Sequence, residues 1–204
     1  SIFNIALGAG GENGSAITDQ HRICIDNIVL EKTSAPEIDV PVGKNLITNS
    51  EFEMSEDGSL AGWENAVTAP GDATFEAGDG KITYSVENVG EADWNIQLKQ
   101  MGLSLEQGES YTLKCTLVSD VDRVVKVAVM TPSAGYAWHG GEDVVLTAGE
   151  AKDVTLTITP KEEVFTDGIT VDTGAGLFFS MGYVEGYTLG AHTVSISNVS
   201  FVKN

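Results

Sequence analysis

The chain has 204 residues, and 30 acidic side chains against 11 basic ones give a formal net charge of −19. That balance argues against nucleic acid, anionic membranes and polyanionic glycans as partners, since each would be repelled, and suits a neutral ligand or a calcium ion. No apolar run approaches the roughly 20 residues of a membrane-spanning helix, and no secretory signal is visible.

Residues 1–32 predict two strands, about 2–8 and 21–31, around a Gly/Asn-rich loop. The second of these returns near the other end of the chain. His21-Arg22-Ile23-Cys24-Ile25-Asp26-Asn27 and the five residues after it, to Lys32, align without a gap on His192-Thr193-Val194-Ser195-Ile196-Ser197-Asn198 and on to Lys203. Each copy follows an apolar run ending in glycine, Ile5–Gly8 and Phe179–Gly182. The repeat predicts that residues 1–32 are the closing strands of a preceding tandem copy. Residues 33–43, with Pro36 and Pro41, then form a linker, and 44–204 one complete module. A lone hairpin is marginal in water, so residues 1–32 should cover a sheet edge or exchange into a neighbouring molecule.

Further strands are predicted near 45–54, 73–78, 80–89, 93–100, 109–119, 123–131, 143–147, 151–159, 176–182 and 192–202. Turn signals such as Gly78-Asp79-Gly80, Glu106-Gln107-Gly108 and Thr147-Ala148-Gly149 separate them. Ten short strands without a convincing helix predict an all-β fold, a β-sandwich jelly roll of two antiparallel sheets. Alternation points Tyr111, Leu113, Cys115 and Leu117 inward, making Cys115 a buried thiol unpaired with Cys24. It also sends Leu177, Phe179 and Met181 to the core, leaving Phe178 facing outward.

Several motifs then occur in one order: Asn45-Leu46-Ile47-Thr48-Asn49-Ser50-Glu51-Phe52-Glu53, Gly62-Trp63, Asp93-Trp94-Asn95-Ile96-Gln97-Leu98, Gly108-Glu109-Ser110-Tyr111 and Ile196-Ser197-Asn198-Val199. This order resembles the carbohydrate-binding modules of families 4, 9 and 22, found in tandem beside secreted glycanases. The resemblance covers Asn45 to Lys203 and implies a jelly roll whose concave sheet holds a single β-glycan chain. It implies a secreted protein, and makes Trp94 a stacking platform with Gln97 as its polar partner. The Gly-Trp tryptophan, Trp63, should be core.

Carbohydrate chemistry supports the same residue types. A pyranose has an apolar C–H face, which needs a flat aromatic, and a rim of hydroxyls, which needs amide or carboxylate groups. The segment Tyr136-Ala137-Trp138-His139-Gly140-Gly141 sets three rings beside two glycines that permit close backbone approach, so Tyr136, Trp138 and His139 are candidates. Phe178 and Tyr183 complete the candidate ligand-binding set. The resemblance further implies a structural calcium ion held by Glu53, the carbonyl of Glu51 and the last strand. There Ser197 stands where the family has aspartate, while the first copy keeps Asp26. Losing one carboxylate weakens a calcium site, and a swapped residue 1–32 hairpin could restore it through Asp26.

Catalysis finds little support. With this many acidic residues a carboxylate pair proves nothing, no HxxxH or GxSxG is present, and His139 has no partner at ligand spacing. The reading is a non-catalytic module that binds neutral β-glycan (β-1,4-glucan, xylan or mixed-linkage β-glucan) and targets an attached glycoside hydrolase. The alternatives are a cell-surface adhesion module that binds protein, and a small jelly-roll glycanase.

Overall fold

Residues 38–166 and 168–204 are described by the computed structural model, so the expected 1–32 remnant lies outside them, with Cys24 and Asp26. Period-two burial builds most of the strands. In Lys81–Asn88, for instance, Ile82, Tyr84 and Val86 are buried while their neighbours face outward. Ten strands result: β1 Glu64–Val67, β2 Asp72–Gly78, β3 Lys81–Asn88, β4 Ile96–Glu106, β5 Tyr111–Ser119, β6 Arg123–Thr131, β7 Ala137–Leu146, β8 Ala151–Ile158, β9 Val171–Ser180 and β10 His192–Lys203. They form two antiparallel five-stranded sheets, ordered β1-β4-β9-β6-β7 and β2-β3-β10-β5-β8. This is the expected jelly-roll sandwich. Its core lies between the sheets, where Tyr111 stacks on Phe201 at 5.0 Å and Trp63 packs against Phe52 at 5.1 Å. Trp63 is core, as expected, and its indole N–H donates to the Asn49 carbonyl.

Three departures from the sequence reading fall before β2. Residues 45–54 are not a strand: Asn49 and Phe52 take φ of 52° and 54°, and the Asn49 amide bonds both the N–H and the carbonyl of Glu53. That loop still drives Phe52 into the core. Residues 38–43, read as the end of a linker, are docked instead. Val40 is buried and bonds Glu106, and Val42 bridges to Lys203. Finally β1, too short and too mixed in composition to show alternation, pairs with β4 at the sheet edge.

The four residues identical in both copies all have structural work in the second. His192 bonds the buried Arg123, and Ile196 fills the core. Lys203 pairs with Glu106. Asn198 takes φ of 53° at the β10 bulge, a left-handed conformation that asparagine tolerates better than most residues.

Candidate functional site

Strand register lines up the outer face of the β1-β4-β9-β6-β7 sheet. Gln97, Ser180, Lys126 and Asp143 form one row across β4, β9, β6 and β7. Lys99, Phe178, Ala128 and Gly141 form the next, and Met101, Gly176, Met130 and Trp138 a third. A cleft of about 460 Å3 opens on this face, lined by Asp93, Trp94, Gln97, Lys126, Met130, Tyr136, Trp138 and Ser180. A smaller hollow of about 230 Å3 adjoins it, shares Asp93 and Lys126, and adds Ala92, Asp143, Tyr183 and Val184. Concave, largely apolar hollows with a few convergent polar groups are where small ligands bind.

Trp94 does not open a strand, as the sequence suggested, but rides on a 3-10 turn, Asp93–Asn95, ahead of β4. Its side chain is 54% exposed. Buried Asn95 holds the turn: its Oδ1 accepts from the N–H groups of Glu91 and Ala92, and its Nδ2 donates to the Thr68 carbonyl. Beneath, Gly182 N–H donates to Asp93 O and Tyr183 N–H to Ala92 O. A Cβ at Gly182 would stand 2.1 Å from the Ala92 carbonyl oxygen, so only glycine fits there. Behind Gly182, the buried guanidinium of Arg123 donates to the carbonyls of Met181 and Gly182 and bonds His192 Nε2. Burial brings Arg123 down to about 10.

On the opposite side, Tyr136 is 61% exposed and Trp138 40%. Tyr136 follows Gly135 in the left-handed region, with φ of 62°, which is strained for an aromatic residue. Trp138 belongs to β7, not to a loop. A Cβ on Gly141 would meet the Trp138 ring at 2.6 Å, so this glycine admits the module's own indole, and Gly140 admits Ile158. The close approach expected at these glycines is therefore internal.

Two candidates are corrected. A bulge in β7 turns His139 inward, where it is buried. Its Nδ1 accepts from Lys161 N–H, leaving Nε2–H to donate to Thr131, whose hydroxyl donates in turn to Asp172. Burial holds its pKa below the usual imidazole value. Phe178 does face outward, but it is only 3% exposed, with its ring beside Gly176 next to the Met101 thioether. It is part of the floor under the cleft and offers a sugar almost no surface. Tyr183, 39% exposed, lines the smaller hollow and not the larger.

Gln97 stands in the cleft and donates from Nε2 to Ser180 Oγ. The sequence reading missed Asp93, Lys126, Met130, Ser180 and Asp143. Lys126 and Met130 show the outward phase of β6 between core valines, but only pairing with β9 sets them beside Gln97. Lys126 donates to Asp93 Oδ2, and that hydrogen bond, with desolvation opposing it, holds the ammonium above its usual value. Glu51 and Glu53 are exposed on the first loop, where their carbonyls already accept from Gly80 N–H and Asn49 Nδ2. Among the described residues no group of three or more His, Cys, Asp or Glu converges on a metal position.

A family model described as Carbohydrate binding domain, CBM_4_9, matches residues 44–173. The chain belongs to this family. It is a non-catalytic carbohydrate-binding domain, and all the residues lining the larger hollow except Ser180 fall in the matched stretch. A solved CBM4 structure is 19% identical at a TM-score of 0.61, with 78% of this chain and 99% of that one covered. The N-terminal and second N-terminal cellulose-binding domains of Cellulomonas fimi β-1,4-glucanase C are 20% and 23% identical, each at a TM-score of 0.55. They cover 79% and 78% of this chain and 98% and 94% of their own. Identities this low show a shared jelly roll and no more. No curated protein matches the chain.

Proposed function

We propose that the cleft binds an internal stretch of one neutral β-glycan chain and so holds an attached glycoside hydrolase on polysaccharide outside the cell. The observation that carries this is the convergence of three exposed rings, Trp94, Tyr136 and Trp138, on one hollow with Gln97 and Ser180 on its floor. Rings supply faces for pyranose C–H surfaces, while the amide and hydroxyl supply rim contacts. Two of the similar structures are cellulose-binding domains of a β-1,4-glucanase, which supports a β-1,4-linked ligand. Affinity should be modest, because an open cleft covers each sugar partly and its hydrogen bonds replace good ones to water.

Affinity electrophoresis in gels containing hydroxyethylcellulose, xylan, barley β-glucan or laminarin tests the reading. At least one should retard the wild type, and Trp94→Ala should migrate as in a gel without polysaccharide. Equal retardation of both proteins would refute it. Calcium at the Glu51–Glu53 loop is a separate proposal, decided by whether a chelator lowers the melting temperature.

A further inference from the structure

The Asp93–Lys126 pair sits where the two hollows meet and lines both. A chain that fills the larger hollow and continues into the smaller passes over it. We propose that this pair reads a vicinal diol on the sugar ring, and thereby selects 1,4-linked β-glycans over 1,3-linked ones. The proposal rests on the glycan-binding reading above. Internal residues of a 1,4-linked glucan or xylan carry hydroxyls on adjacent carbons, C2 and C3. In a 1,3-linked glucan C3 is spent on the linkage, and no two adjacent ring carbons both carry a hydroxyl.

The two charged groups match a diol in kind. An ammonium only donates and a carboxylate only accepts, whereas a diol offers an acceptor oxygen and a donor hydrogen side by side. Lys126 uses one of its three N–H groups, on Asp93 Oδ2, and Asp93 Oδ1 has no partner among the described residues. Both side chains are about a third exposed, so the remaining positions are reachable. Hydrogen bonds to charged groups are stronger than neutral ones. Because each charge already neutralises the other, the site presents them without an unpaired charge waiting in the cleft.

Charged sugars suit the same place less well. A uronate drawn to Lys126 would meet Asp93, and Asp143 in the same row. An amino sugar drawn to those carboxylates would meet Lys126. A neutral diol meets no like charge.

The bland alternative is a clamp: Asp93 belongs to the Trp94 turn and Lys126 to β6, so the pair also ties one to the other. The test must separate reading from clamping. Calorimetric titration of wild type, Asp93→Asn and Lys126→Met with cellohexaose, xylohexaose and laminarihexaose does so. The wild type should bind the first two at least ~10-fold more tightly than laminarihexaose. Each substitution should weaken those two about tenfold, the size expected for one hydrogen bond to a charged group. Laminarihexaose should change less than about twofold. Equal losses on all three sugars would make the pair a clamp and overturn the proposal, as would wild-type affinity for laminarihexaose equal to or above the others. Cellohexaose with its C2–C3 bonds opened by periodate gives a check that needs no variant, and undiminished binding of it would also overturn the proposal. A wild type that binds none of the three fails at the underlying glycan reading, whereas binding without discrimination fails here alone.

Discussion

Trp94 and Phe178 both point away from the core, yet only Trp94 can be reached from solvent. Trp94 stands on a turn above the sheet, while Phe178 lies flat among its strand neighbours beside Gly176. Their substitutions should therefore separate. Phe178→Ala should cost about 3 kcal/mol in a urea melt, in the range of buried phenylalanine truncations. Tyr136 gives the converse case. Its left-handed backbone suits glycine, so Tyr136→Gly should leave stability within about 1 kcal/mol of wild type. The same change removes an exposed ring from the cleft, and titration with cellohexaose should show at least ~10-fold weaker binding under the proposed function. Composition and position in the sequence pointed to both rings; neither could report which was covered.

At the scale of elements, the turn that carries Trp94 is the part most exposed to indirect damage. Asn95→Ala removes the acceptor of two N–H groups and the donor to Thr68. Leaving such groups unsatisfied should cost about 3 kcal/mol. Glycan affinity should also fall, although Asn95 does not line the cleft, and fluorescence of the turn's indole should report the change. Gly182→Ala drives a Cβ into the same turn from below and should act alike. Strands with clear alternation, such as β3, β5 and, on either side of its bulge, β10, were legible because each has one face in the core. The Trp94 turn, β1 and the 45–54 loop were not. Their conformations depend on contacts with distant segments: Asn95 with Thr68, β1 with β4, Phe52 with Trp63. The bulge that turns His139 inward was hidden for the same reason, since it exists only through pairing with β6.

For the whole molecule, two buried histidines among the described residues make stability fall on the acid side of neutrality. Burial places His139 and His192 below the ordinary imidazole value, and His192 also faces the Arg123 cation. In the unfolded chain both would titrate near 6.5. As pH falls through about 6.5 the unfolded state takes up protons first, so stability rises with pH across this window. It should be complete above about 7 and decline until the folded-state values are passed, where the loss levels off. Melting temperatures from about pH 8 to about pH 5 should show this decline, and His192→Gln should flatten it in part.

The sequence by itself determined the architecture and the family and pointed to Trp94 as a candidate, because alternation, turn residues and short motifs are local properties readable along the chain. Only the tertiary structure decided what surrounds that tryptophan. Gln97, Lys126 and Ser180 come from separate strands that antiparallel register sets in one row, and Asp93 joins them from the Trp94 turn. That register is a relation between strands distant in sequence, fixed by the fit of two sheets around a shared core.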